Sequence, residues 1–403
     1  MAKTRSRPFN TAEVIGIDGL FKNLHHNTGA AIDFRVFKNL HDGLMAKKKW
    51  YEAFGPNCEV VVGPWHDDDA GVLKITHANG AVTYDVIKME SHCSPSSVTP
   101  FDSAATGVGG ACRDVIAMGG VPLYITDFLG VMPLDREIIV GPCALNPKAV
   151  DADRNKVCVC GKCRVMTSAA RTNEMVRGME AMCKAWDLSV AAGGFSASFK
   201  DGLVPAVVVT VRGELISAKP LMKAVQKPGN KIIVIGATGM DGNDTVHRTQ
   251  GIAMIPAKAL FEEEIISAKG AVAAVRSGFV VSMADFGAAG VAAAISEGVR
   301  KGGLGAEIDL GLLPMMSGAD EITSLGKLYN ETQARYRIEV EPQNVEEVLA
   351  RIADTGAIAN VVGEITDGRE TVYRDCGEEI AVLPNEPTDE DMREVAEAVA
   401  AMT

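Results

Sequence analysis

Apolar residues recur along the chain at two different spacings, and the two spacings predict different elements. Short apolar runs at 59–64 and 121–132 predict buried strands. Two strand-like runs within 72–90 meet at an Asn-Gly dipeptide, which is typical of a tight hairpin turn. At 172–186 the apolar residues lie three and four positions apart, which predicts an amphipathic helix.

The second half of the chain also alternates strands with helices. A Gln-Lys-Pro-Gly-Asn joint at 226–230 precedes an apolar strand at 231–236. Further expected elements are helices at 257–277, 288–301 and 344–356 and strands at 279–283, 335–342 and 358–366. This alternation in two halves predicts an α/β protein, and the hairpins favour α+β layers over a purely parallel sheet.

Changes in pattern divide the chain into four parts. Residues 1–54 are expected to form a leader with helical character, 55–225 the first domain and 226–385 the second. A helix is expected at 386–403, where a Thr and an Asp three residues apart form a capping pattern. Residues 133–171 interrupt the first domain and are expected to be a cysteine-containing insertion.

Composition narrows the class of protein. Hydrophobic residues make up 47% and charged residues 23% of the chain, which is typical of a globular protein. The net charge of −12 argues against nucleic-acid binding, and no apolar run approaches the length of a membrane span. The N-terminus lacks the apolar core of a secretion signal and the nine cysteines are odd in number. We therefore expect a cytoplasmic protein without a disulfide framework.

Three chemically active side chains stand at the end of the second hairpin strand. Lys88, Glu90 and His92 occupy alternate positions, so all three are expected on one face of that strand. A carboxylate suits Mg²⁺, and a lysine suits phosphate oxygens. The alternative from spacing alone is a buried polar strand end.

A glycine-rich stretch follows at 106–110, and a helix containing Arg113 and Asp114 is expected after it. We expect the stretch to be a turn whose exposed backbone N–H groups approach a polyphosphate. Its glycines are Gly107, Gly109 and Gly110. The alternative is a turn in which the glycines serve packing alone.

Residues 86–120 resemble the ATP-binding core of the formylglycinamidine ribonucleotide synthase family, a branch of the aminoimidazole ribonucleotide synthase superfamily. The shared motifs are KMESH, AATGVGG and RDV, with the spacing found in the family. Residues 280–314, 329–342 and 361–367 resemble later motifs of the same family in the same order. A divergent paralogue within the superfamily is the alternative interpretation.

The resemblance implies a two-domain α/β fold that pairs as a homodimer through its N-terminal sheets. It implies a reaction in which ATP phosphorylates an amide oxygen and ammonia then displaces the phosphate, giving an amidine. Glu90 and Asp114 would bind Mg²⁺. Lys88 and the three glycines would contact ATP, and His92 would act on the reacting amide or ammonia. No glutaminase domain fits within 403 residues, so ammonia is expected to come from a partner, such as a glutaminase, or from solution.

The substrate side is where the chain departs from the family. The residues that the resemblance assigns to substrate binding are Asp241, Glu331, Gln333 and Arg335. Ser94 replaces the family's second histidine, and the aspartate expected before the helix at 257–277 is missing. Two alternatives therefore stay open: an ATP-dependent enzyme that acts on another amide or carboxylate in a cofactor pathway, and a nucleotide-binding subunit without catalysis.

Four cysteines in the insertion have the spacing of metal ligands: Cys143, Cys158, Cys160 and Cys163. A Cys-x-Cys-x-x-Cys run with a fourth cysteine nearby can bind Zn²⁺ or an iron–sulfur cluster. The alternative is four free thiols in a reduced loop.

Two further acidic positions have competing interpretations. The run His66–Asp69 is expected to be a solvated turn. Asp285 stands at a strand end beside a helix N-terminus, so it either faces a cleft or caps that helix.

Overall fold

A computed structural model describes the protein in residues 57–63, 66, 68–145, 162–198, 204–243, 256–319 and 322–385. The leader expected at 1–54 and the helix expected at 386–403 lie outside these residues. Among the helices that are described, none is both long enough and apolar enough to cross a membrane.

The first half of the chain forms a six-stranded sheet and a separate two-stranded ribbon. Its strands are β1 (Cys58–Val62), β2 (Gly71–Thr76), β3 (Val82–Ser91), β4 (Gly120–Gly130), β5 (Glu137–Val140), β6 (Arg164–Thr167), β7 (Ser189–Ser196) and β8 (Ala206–Leu215). The sheet has the order β1-β2-β3-β8-β4-β7, with β4 and β7 parallel and its other pairs antiparallel. The β2–β3 hairpin confirms the turn expected at the Asn-Gly dipeptide.

Two long helices, α1 (Pro100–Ala117) and α2 (Ser168–Trp186), build the core of this half. Helix α1 packs on one face of the sheet and α2 packs against α1. Alternate strand residues such as Val86, Ile125 and Val209 point toward the helices and are buried. The apolar stripe of α2 faces the same core, which confirms the amphipathic helix.

The glycine-rich stretch at 106–110 is the middle of α1, so the expectation of a turn was wrong. Backbone N–H groups inside a helix already bond to carbonyl groups, and they form no exposed cradle for phosphate. A side chain at Gly107 would approach the His92 ring at 3.3 Å, and one at Gly109 would approach the Glu264 carboxylate at 3.2 Å. These two glycines let a buried helix lie close to its neighbours.

The second half forms a seven-stranded sheet with the order β10-β12-β9-β13-β11-β14-β15. Its strands are β9 (Lys231–Ile235), β10 (Val280–Asp285), β11 (Gly305–Asp309), β12 (Tyr336–Val340), β13 (Ala359–Thr366), β14 (Glu370–Asp375) and β15 (Glu378–Pro384). Its helices are α3 (Phe261–Ser277), α4 (Gly290–Gly302), α5 (Ser324–Tyr329) and α6 (Val345–Ala353).

Helices cover both faces of this second sheet. The central strand β9 is apolar on both sides: Ile233 and Ile235 pack with α3 and α6, whereas Ile232 and Val234 pack with α4. A strand buried on both faces reads as a continuous apolar run, as this one does. The two halves together confirm the α/β fold with α+β layers.

Candidate active site

A cavity of about 250 Å³ lies where the two halves of the chain meet. Strand β3 and helix α1 supply one wall, and the segments flanking β10 and β12 supply the other. Its acidic lining residues are Asp68, Asp69, Glu90, Asp114, Asp285 and Glu331. Basic side chains from the first half and from the connection between the halves also line it, so the cavity concentrates charge of both signs.

Lys88 and Glu90 of β3 and His92 immediately after it all line this cavity, as their alternation along the chain predicts. Lys88 Nζ lies 2.9 Å from Asp114 Oδ2 and 3.5 Å from Glu90 Oε2. The same ammonium group donates a hydrogen bond of 3.0 Å to the carbonyl oxygen of Asp69. A strand end and the helix behind it therefore converge on one lysine.

Burial and neighbouring charge act in opposite directions on this lysine. Burial alone would lower the pKa of Lys88, but the Asp114 and Glu90 carboxylates raise it above its usual value. Burial raises the pKa of Asp114, Lys88 lowers it, and Asp285 and Asp69 raise it further. We take the pair as an ammonium and a carboxylate, because the 2.9 Å contact favours both charged forms.

The ring of His92 is fixed by contacts on one nitrogen. Its Nδ1 lies 3.0 Å from the carbonyl oxygen of Ser103 and 3.2 Å from Thr106 Oγ1. A carbonyl oxygen can only accept, so in the neutral ring the proton is on Nδ1 and Nε2 is the acceptor nitrogen. This tautomer suits a general base.

Three carboxylates can share a divalent cation. Asp69, Asp114 and Asp285 each offer one ligand oxygen, and these atoms all lie within 4.8 Å of one another. Oxygen ligands of this kind are what Mg²⁺ prefers. Asp114 was expected in this role, whereas the expected Glu90 is not one of the three.

The burial of Asp69 differs from what the sequence predicts. The run His66–Asp69 is expected to be a solvated turn, but Asp69 is only 5% exposed, so this expectation is wrong for Asp69. Asp285 lines the cavity. It does not cap α4, because α4 begins five residues later and the residue at its N-cap is Ala289. Of the two interpretations of Asp285, the one that faces it toward a cleft is therefore correct. The sequence did contain a clue at Asp69, because the acidic run leads straight into the apolar strand β2.

Lys223 is a cavity residue that the sequence did not indicate. It lies in the connection between β8 and β9 and is 3% exposed. Its Nζ lies 3.4 Å from Asp69 Oδ1 and 3.2 Å from Glu297 Oε2. Burial, helped by the Asp69 charge, raises the pKa of the neighbouring Asp68 to about 6.

The four expected substrate residues divide into two pairs. Glu331 and Gln333 line the cavity and are buried. Arg335 is fully buried beside it and donates to the carbonyl oxygens of Thr332 and Asn330 at 2.9 and 2.7 Å. Burial lowers the pKa of Arg335 to about 9.

Asp241, the fourth of these residues, is also held by protein groups. Its carboxylate accepts hydrogen bonds from the Lys258 backbone and the Thr332 hydroxyl at 2.8 and 2.9 Å. Asp241 and Arg335 thus brace the segment that carries Glu331 and Gln333. Of the three glycines, Gly110 lines the cavity itself.

The cysteine group lies partly outside the described residues, where Cys158 and Cys160 fall. Cys163 immediately precedes β6, and Cys143 follows the end of β5 by three residues. Val140 of β5 pairs with Arg164 of β6, so the two backbone positions lie at the same end of the ribbon. The metal site stays a prediction.

The fold and the cavity define a two-domain α/β protein with an acidic, lysine-containing site between its halves. Residues 67–144 match the N-terminal domain of AIR synthase related proteins, and residues 227–375 match the C-terminal domain of the same family. The chain therefore belongs to the AIR synthase related proteins.

Among curated proteins, the chain is similar to the phosphoribosylformylglycinamidine synthase subunit PurL of Haloarcula marismortui. The two are 31% identical over 358 residues, which cover 82% of this chain and 44% of that protein. The chain thus spans less than half the length of this relative.

Two solved structures of Thermotoga maritima PurL share the fold. The complex with FGAR aligns with a TM-score of 0.61 and 23% identity, over 87% of this chain and 50% of that one. The complex with ATP aligns with a TM-score of 0.59 and 23% identity, over 78% and 44%.

Proposed function

We propose that the chain is a Mg²⁺- and ATP-dependent ligase that phosphorylates an amide oxygen so that ammonia can displace the phosphate and leave an amidine. The observation that carries the proposal is the cavity in which Lys88 and the carboxylates of Asp69, Asp114 and Asp285 converge. The similarity to PurL makes formylglycinamide ribonucleotide the first substrate to test.

The residues fit a divalent cation, because each of the three carboxylates offers one oxygen and these oxygens lie within 4.8 Å of one another. Asp69 and Asp114 are buried and Asp285 is nearly so. A bound Mg²⁺ would offset charge on the transferred phosphoryl group. Lys88 would contact the phosphates, and its raised pKa keeps it protonated for that purpose. These roles extend those implied by the motif.

His92 would orient or deprotonate the attacking ammonia or the amide. Its Nδ1 contacts with Ser103 and Thr106 hold the ring against α1, and the second nitrogen is then the basic one. Glu331 and Gln333 line the opposite wall, and they would bind the amide substrate.

The test is ATP turnover with Mg²⁺ and ammonia, with and without formylglycinamide ribonucleotide. Release of ADP and phosphate that depends on this substrate would support the proposal. The His92→Ala variant should lose turnover but keep ATP binding, whereas equal turnover in both proteins would contradict the role of His92. ATP binding without turnover in the wild type would favour a non-catalytic subunit.

A second candidate is an ATP-dependent enzyme for another amide or carboxylate. Ser94 stands where the family has a histidine, and its buried hydroxyl has no hydrogen-bond partner among the described residues. A changed polar group two positions after His92 in the chain is expected to change substrate preference. ATP turnover that ignores formylglycinamide ribonucleotide but responds to other amides would favour this candidate.

A homodimer is the proposed assembly. On the face of the first sheet away from α1, Met89 is 68% exposed and Phe128 is 40% exposed. Met89 pairs with Thr210 and Phe128 with Val208 on the shared neighbour β8, which places both side chains on one face. An apolar sheet face of this kind suits a second copy of the chain.

Three further proposals rest on the amino-acid sequence alone: the source of ammonia, the location of the protein and a metal site. Ammonia would come from a separate glutaminase partner or from solution, the location would be cytoplasmic, and Cys143, Cys158, Cys160 and Cys163 would bind zinc. Metal analysis of the purified protein tests the last of these, with one equivalent of zinc lost when Cys160 is changed to serine.

A further inference from the structure

A buried arginine in the cavity wall joins the two halves of the chain. Arg113 stands next to Asp114 on α1 and is 2% exposed. Its Nη1 donates to both carboxylate oxygens of Glu264 at 2.7 and 2.8 Å, and its Nη2 donates to Gln333 Oε1 at 2.5 Å. Its Nε donates to Asp285 Oδ2 at 3.4 Å.

The three partners of this guanidinium come from three elements of the second half. Glu264 lies on α3, Asp285 ends β10, and Gln333 precedes β12. A planar guanidinium can hold several acceptors at fixed angles, which an ammonium group cannot do. Burial lowers the pKa of Arg113, but Glu264 and Asp285 raise it above its usual value, so the group stays charged.

Two of the three partners face the cavity. Asp285 and Gln333 line it, and Asp285 is one of the three carboxylates that can share a cation. The carboxylates of Asp69 and Asp114 repel that of Asp285, because the ligand oxygens of all three lie within 4.8 Å of one another. The Arg113 charge, 3.4 Å from Asp285 Oδ2, offsets this repulsion.

Helix α1 has a specific adaptation to this arrangement. A Cβ at Gly109, one turn before Arg113, would lie 3.2 Å from the Glu264 carboxylate. Glycine at this position therefore leaves room for the bidentate contact. The glycine that the motif suggested for phosphate binding instead supports the arginine.

We propose that Arg113 is a positioning residue that holds Asp285 and Gln333 at the cavity and thereby sets the affinity for the divalent cation. This inference rests on the proposed function, because it concerns the same metal site. A merely structural ion pair between the domains is the competing explanation, and it makes a different prediction.

The test replaces the buried pair by apolar side chains. A buried ion pair can often be exchanged for hydrophobic residues without loss of stability, whereas removal of one partner is strongly destabilising. We expect Arg113→Met alone to lower the melting temperature and the double variant Arg113→Met/Glu264→Met to recover most of it. Affinity for Mn²⁺, measured by calorimetry without nucleotide, should stay at least about tenfold weaker in the double variant.

Two more variants keep the test decisive if the double variant does not fold. Arg113→Lys retains the charge but not the planar guanidinium that holds several acceptors, and it should show the same loss of Mn²⁺ affinity. Arg212→Met is the matched control: Arg212 makes a bidentate pair with Asp85 at 2.6 Å, outside the cavity lining. It should change stability while Mn²⁺ affinity stays at the wild-type value.

Each outcome has a separate meaning. Wild-type Mn²⁺ affinity in a folded Arg113→Lys or double variant would overturn the positioning role while leaving the proposed function intact. A wild-type protein that binds no Mn²⁺ would overturn the metal site of the proposed function and the role of Arg113 with it. Where turnover is measurable, the Mg²⁺ concentration for half-maximal rate should rise more than the maximal rate falls.

Discussion

At the scale of single residues, position in the fold separates carboxylates that look alike in the sequence. Asp69 and Asp114 are 5% and 6% exposed and belong to a group of three that can share a cation. Glu90 is not in that group, although it contacts Lys88 at 3.5 Å, as Asp114 does at 2.9 Å. The residues that the motif singled out and those that the geometry singles out therefore overlap at Asp114 but are not the same set.

Asp69 gives a direct prediction. Asp69→Asn removes a charge and one anionic oxygen from the site, so Mn²⁺ affinity measured by calorimetry should fall at least about tenfold. Asp187→Asn is the control, because Asp187 is exposed in a left-handed conformation that asparagine also adopts. Unchanged Mn²⁺ affinity in Asp69→Asn would show that the cation binds elsewhere.

At the scale of elements, the contact between α1 and α2 depends on a missing side chain. A Cβ at Gly178 of α2 would lie 2.1 Å from the carbonyl oxygen of Phe101, which is far closer than atoms can approach. The helices can touch here only because residue 178 is glycine.

Gly178→Ala tests this contact. Alanine gains about 1 kcal/mol of helix propensity over glycine, but overpacking a buried contact costs about 1–3 kcal/mol. We expect a net loss of stability in urea unfolding. The control Gly110→Ala has Arg113 Nη2 as its nearest atom at 3.5 Å and should not lose stability. A Gly178→Ala protein more stable than wild type would contradict this packing.

The short helix α5 is tied to the end of β14 by one carboxylate. Asp375 accepts from Lys327 Nζ at 2.8 Å and from Ser324 Oγ at 2.8 Å. Burial would raise the pKa of Asp375, but the hydrogen bonds from Lys327 and Ser324 lower it below the ordinary value of 3.8. The ionised form is therefore favoured in the folded protein.

The sign of the pH dependence follows from that lowered pKa. The stabilisation is complete well above pH 3.8 and is lost as the pH falls through the lower pKa of the folded state. Asp375→Asn should cost about 1–2 kcal/mol in urea unfolding at pH 7, and the difference from wild type should shrink toward pH 4 and below. A difference that is constant with pH would mean that the charge is not responsible.

At the scale of the whole molecule, the open face of the first sheet predicts the assembly. Phe128→Asp places a charge on this face and should convert a dimer to a monomer in sedimentation experiments. Leu325→Asp is the control, since Leu325 is 59% exposed on α5 in the other half. A wild-type monomer, or dimers in Phe128→Asp, would rule out this face as the interface.

Features that depend on neighbouring residues could be predicted from the amino-acid sequence. The β2–β3 hairpin followed from an Asn-Gly turn between alternating runs, and the shared face of Lys88 and Glu90 followed from the period of a strand. Helix α2 followed from its apolar spacing. Each of these is local, because a few consecutive residues fix the periodicity.

Features that join distant parts of the chain could not be predicted in this way and emerge only in the folded protein. The glycines at 106–110 lie in the middle of a helix because the helix is buried against its neighbours, although their local preference favours a turn. Arg113 and Asp285 are 172 positions apart, and Lys223 and Asp69 are 154 apart, so no periodicity could pair them. Their meeting depends on the register of two sheets and on the way the two halves pack together, because side chains converge only once both cores are formed.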